Sequence, residues 1–96
     1  MEEEKLLITF RSEDDIVQFV AVCCEYDDAI DIKVDKMSTD AKSILGMLLM
    51  KVGQPLEISY GCYDAENNYE QFREEILQKF EVKAVPLSRQ PFQERQ

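Results

Sequence analysis

Three consecutive carboxylates, Glu13, Asp14 and Asp15, stand directly before the apolar run IVQFVAVCC. Such a cluster can hold a cation, accept a phosphoryl group or begin a helix by meeting its free amides. The order of residues favours the last role. Consecutive helical side chains do not face one another, so three in a row converge poorly on one ion, and no metal site is expected. Ser12, followed three residues later by Asp15, resembles a capping box with Asp where Glu or Gln is usual. Histidine is absent, which removes the usual neutral-pH base and excludes Ser–His and Cys–His nucleophile systems. Cys23, Cys24 and Cys62 form no C-x-x-C pair. The adjacent pair falls in a helical pattern and reads as small buried hydrophobes, since a reactive thiol needs exposure and basic neighbours. The chain is therefore expected to be no enzyme, with no catalytic residue and no cofactor.

The bulk numbers agree with a binding role. The 96 residues suffice for one domain, and 45% are apolar, enough for a core. Twenty acidic against eleven basic residues give a net charge of −9. That field repels phosphate backbones and anionic lipid, so neither nucleic acid nor membrane is an expected partner, whereas a basic protein surface is. No run approaches the ~18 apolar residues of a membrane span. The opening MEEEK is acidic where a secretory signal would be basic and then apolar. A cytoplasmic location is the expectation.

The elements that must position these residues follow from periodicity. KLLITF at 5–10 alternates, placing Leu6, Ile8 and Phe10 on one face of a strand. Ile16, Phe19, Val20, Cys23 and Cys24 recur at helical spacing and predict an amphipathic helix over 13–26. AIDIKVD alternates strictly, with Ile30, Ile32 and Val34 inward, and KMSTDA offers a short hairpin partner. KSILGMLLMKVG predicts an apolar helix over 43–51 stopped by Gly53, with Leu45, Leu49 and Val52 in the core. PLEISYG forms another strand, its Pro55 tolerable at the first position. A last helix carries Ala65, Tyr69, Phe72, Ile76 and Phe80 on one stripe, with Asp64 as N-cap. The order β-α-β-β-α-β-α predicts an α+β domain over residues 1–80, a four-stranded antiparallel sheet with three helices on one face. Residues 81–96 fall outside it as a C-terminal extension, extended or docked through Val82, Val85, Leu87 and Phe92.

The segment DAKSILGMLLMKVGQPLEISYGCYDAENNYEQF resembles the bacterial phosphocarrier HPr of the sugar phosphotransferase system. The likeness lies in Lys42-Ser43 opening a short apolar helix with Gly46 inside, a strand ending in glycine, and the acidic DAEN before the last helix. QFV at 18–20 adds the family's first helix. The likeness spans roughly residues 5–80 and implies an HPr-like open-faced sandwich. That family carries phosphate on a histidine at the start of its first helix, close to an arginine and a proline. Counting back from QFV, those places fall on Ser12, Asp14 and Asp15. A phosphate there would meet like charge instead of an arginine.

The resemblance therefore implies a relative that has lost the reaction and serves as a regulatory or protein-interaction module. Ser43 matches a serine phosphorylated by an ATP-dependent kinase in HPr of many Gram-positive bacteria, and it also suits the N-cap of the second helix. Lys42 could help hold the phosphate, and Asp40 would oppose it. The positions matching Ile44, Leu45, Met47 and Leu48 help form the family's docking surface, and methionine suits such surfaces. The partner implied is HPr kinase or a transcriptional regulator with an apolar groove and a basic edge. Two alternatives compete: a phosphocarrier using Asp14, Asp15 or a cysteine as acceptor, and a diverged paralogue with an unrelated binding role.

Overall fold

A computed structural model describes residues 4–61 and 68–86. The strands are β1 (Glu4–Thr9), β2 (Ile30–Val34), β3 (Met37–Asp40), β4 (Pro55–Tyr60) and β5 (Glu81–Pro86). The helices are α1 (Glu13–Cys23), α2 (Ile44–Met47) and α3 (Tyr69–Lys79). Among the described residues the strands form one antiparallel sheet in the order β3-β2-β4-β1-β5. The α+β class is as expected, but the sheet has five strands where four were predicted.

Alternation explains the register. Leu6 pairs with Ile58, Ile58 with Ile32, and Leu6 with Ala84, so one row of inward side chains crosses the sheet. On that face Leu6, Ile8, Ile30, Ile32, Leu56 and Ile58 are buried beneath α1 and α3. The other face carries the row Lys33, Glu57, Leu7 and Lys83, as expected of an antiparallel sheet solvated on one side. Asp35 turns the β2–β3 hairpin at a φ of 55°, a conformation Asp tolerates better than most residues.

An aromatic cluster joins the helices to the sheet. Phe19 meets Phe10, Phe72 and Phe80 edge-on, with ring centroids 5.4, 6.3 and 5.7 Å away, and each such pair contributes roughly 0.5–1.5 kcal/mol beyond area burial. The predicted helix over 13–26 stops at Cys23, because Glu25 and Tyr26 bond three residues back to Val22 and Cys23. Ala65 and Asp64 lie outside the described residues. Asn68 caps α3 with no side-chain bond of its own. Instead the Asp28 carboxylate accepts from the Asn68 amide at 3.2 Å and from the Tyr60 hydroxyl at 2.6 Å.

Two expectations need correction. The first six residues of the supposed extension are β5, with Val82 and Ala84 packed against the core. Leu87 and Phe92 lie outside the described residues. The helix predicted over 43–51 is a single turn. Beyond Leu48 the amides of Leu49 and Met50 bond three residues back, to Gly46 and Met47, a tighter pattern that does not propagate. Gly53 therefore does not stop a helix. At φ 85° it shapes the entry into β4, and its amide donates to the Phe10 carbonyl at 2.7 Å.

Candidate functional site

The first candidate is the tip of α1. Ser12 is extended, and its Oγ accepts from the Asp15 amide at 3.4 Å. Asp15 does not close the reciprocal arm onto Ser12. Its Oδ2 reaches one residue further back and accepts from the Arg11 amide and from Arg11 Nε, both at 3.0 Å. The Arg11 amide, and then its guanidinium, hold the largely buried Asp15 carboxyl below the usual range. Glu13 and Asp14 remain exposed, with Gln18 donating to Asp14 at 3.2 Å. The three carboxylates thus diverge, and no group of three or more potential metal ligands occurs among the described residues. Arg11 was missed in the sequence, although its i,i+4 spacing to Asp15 was the available signal.

The second candidate is α2 and the turn after it. Ser43 is exposed and its Oγ accepts from the Gly46 amide at 3.4 Å, so it is the N-cap. Lys42 does not lean toward Ser43. Its ammonium donates to the Tyr26 carbonyl at 2.5 Å, while its amide donates to the Asp40 carboxylate at 2.9 Å. Gly46 lets this turn press on β3, since a Cβ there would stand 2.9 Å from Thr39 Cγ2.

The apolar residues of this segment divide unexpectedly. Met47, expected at a docking surface, is fully buried, because it is the side chain of the single turn that enters the core. Leu49 and Val52, expected in the core, are exposed, Leu49 at 80%, and so is Leu45 at 78%, expected both in the core and at the docking surface. With Ile44 and Leu48, likewise exposed, they make a stripe in sequence of five exposed apolar residues, two on the single turn of α2 and three in the turns that follow it. Met50 packs partly on the core. Beside Leu49 lies a hollow of about 210 Å³ lined also by Val34, Met50 and Leu56 and by the polar Asp35, Lys51 and Gln54. Cys24 Sγ lies 3.9 Å from the Lys42 carbonyl, and the exposed Val17 stands two helical turns earlier on that side of α1.

Elsewhere the polar groups serve the fold. Tyr69 and Arg73 both donate to Glu4, at 2.6 and 2.7 Å, and lower its pKa, the tyrosine hydroxyl first. Tyr26 donates to Glu75 at 2.8 Å, and burial with that carboxylate pushes the phenol up to about 12. Burial raises the Cys23 thiol, which makes it an inert hydrophobe, whereas Cys24 is exposed. Cys62 lies outside the described residues. No described helix is long and apolar enough to cross a membrane. With this geometry in place, comparison with known proteins finds no matching family model, curated protein or solved structure.

Proposed function

We propose that this chain is an HPr-like interaction module that carries no phosphohistidine and docks a protein partner through the stripe Ile44, Leu45, Leu48, Leu49 and Val52. The exposure of that stripe carries the reading. Five apolar side chains left in water within nine residues cost solvation unless something covers them. The family assignment rests on the sequence likeness across residues 5–80. The element order through α3 is compatible with it. The loss of the carrier reaction rests on the absent histidine and on three carboxylates against one guanidinium at the α1 tip. Ser43 offers an exposed hydroxyl as a regulatory modification site beside the stripe. The fitting partner is HPr kinase or a transcriptional regulator with an apolar groove and a basic edge, given the net charge of −9.

Binding to immobilised HPr kinase and to an HPr-responsive regulator tests this reading. Binding to one of them, lost in Leu45→Lys and Leu49→Lys, is expected, and binding to neither would overturn it. Incubation with enzyme I and phosphoenolpyruvate should leave the intact mass unchanged. A gain of one phosphate from that donor would defeat the non-carrier claim. Incubation with HPr kinase and ATP should add one phosphate, absent in Ser43→Ala.

A further inference from the structure

Among the described residues the sheet ends at two edges, β3 and β5, and they differ in what they offer. The amide of Gly61 donates to Ala29 and that of Ala41 to Ile30, which fixes the alternation of the ladder. Residues 30 and 32 of β2 turn to β3, and 31 and 33 turn to β4. In the registers of β4 on β2 and β1, residues 56 and 58 of β4 turn to β1. Residues 6 and 8 answer them, and 5, 7 and 9 turn to β5. Hence 81, 83 and 85 bond to β1, and 82, 84 and 86 point their backbone groups outward. Pro86, which has no amide to give, falls on the outward side. On β3 the outward residues are Ser38 and Asp40, and the Asp40 carbonyl already accepts from Ser43 at 3.0 Å. Among the described residues the open ladder is β5.

We propose that β5 is a dimerisation edge, where a second copy of this chain adds its own β5 antiparallel about a two-fold axis at Val82. In that register Val82 faces Val82 of the second copy and exchanges both backbone hydrogen bonds with it, while each Ala84 amide faces a Phe80 carbonyl. Glu81 of each copy then stands opposite Lys83 of the other, so one operation creates two cross-strand ion pairs. Pro86 lies past the end of the new ladder. Neighbouring registers lose these features. An axis at Lys83 opposes two lysines, and one at Ala84 sets Pro86 against Val82 with no amide to offer. The edge is locally neutral and self-complementary on a chain of net charge −9, and this argues for a second copy over an arbitrary strand. The product is a continuous ten-stranded sheet that leaves the α2 stripe free, so the inference stands apart from the proposed docking function.

Sedimentation equilibrium on the full chain, from micromolar to near-millimolar concentration, tests it. Wild type should approach twice the monomer mass. Lys83→Glu, which sets glutamate against glutamate at both ends of the ladder, should weaken the dimer by about tenfold. Combining it with Glu81→Lys should restore wild-type association. Val82→Pro should give a folded monomer by circular dichroism, because the amide it removes does not bond to β1. Leu45→Lys with Leu49→Lys should leave the mass unchanged. A monomer at every concentration would overturn the proposal. So would a dimer indifferent to Lys83→Glu, or one broken by the leucine substitutions.

Discussion

α1 and α2 begin alike and end differently. Each is capped by a serine whose Oγ accepts, at 3.4 Å, from the amide three residues on. After Ser12 comes an eleven-residue helix that opens on three acidic residues and has Ile16, Phe19, Val20, Val22 and Cys23 buried. After Ser43 comes a single turn with only Met47 buried, and then leucines facing water. The cap chemistry is the same, so the cap does not decide helix length. The number of side chains the sheet can receive does, because most helical stability in proteins comes from packing an apolar face. α1 lies over the sheet and spends its apolar residues inward. α2 sits at the margin, against the β3 edge through Gly46 and Thr39 and against α1, and most of its apolar residues stay exposed.

Truncation on each side should break this comparison most visibly. Phe19 is fully buried and touches three other rings. Phe19→Ala should cost about 3–5 kcal/mol, enough to unfold much of a domain this small. Leu49, 80% exposed, should lose no more than about 0.5 kcal/mol on going to Ala. Urea denaturation of both variants measures the difference. Near-equal losses would mean that the stripe is part of the core.

That contrast also marks how far the sequence could be read. Strand alternation at Leu6, Ile8, Ile30, Ile32, Leu56 and Ile58 was legible because a half-buried sheet imposes a period of two, and all six are buried. The last strand was missed because EVKAVP ends at a proline within a polar stretch. That proline is tolerated because its nitrogen points away from β1, to the outer edge of the sheet among the described residues, a fact of sheet order and not of local pattern. The fate of Met47 and its neighbours was illegible for a related reason. An all-apolar run states that burial is wanted and not which residues receive it. Ser12 and Ser43 as caps were readable from their own positions. The Asp15–Arg11 contact lay one residue outside the expected capping box.

A smaller effect sharpens the comparison at the α1 tip, where α2 has no counterpart carboxylate. Asp15 has a depressed pKa in the folded state because the charged form accepts from the Arg11 amide and guanidinium. A depressed carboxylate contributes its full stabilisation above the unfolded pKa and loses it as pH falls through the folded value. Asp15→Asn should therefore cost about 1 kcal/mol at pH 7 and nothing below the folded pKa, so the two stability curves should converge on acidification. Glu4 and Glu75, also depressed, leave some acid dependence in the variant. Parallel curves from pH 7 to 2 would show that the Asp15 charge is not what matters.

The smallest effect compares the caps themselves. Ser12→Ala exposes an amide at the head of three helical turns, and should cost about 1 kcal/mol. Ser43→Ala removes an equivalent bond from one turn. That turn is also held by Met47 in the core and by the Lys42 ammonium on the Tyr26 carbonyl. Its loss should be smaller, about 0.5 kcal/mol, and hydrogen exchange at the Gly46 amide, which donates to Ser43, should speed up while exchange in α1 stays unchanged. The reverse ranking would mean that α2 depends on its cap more than on its neighbours. The one-sided exposure of its leucines would then follow from local capping and not from what the sheet can receive.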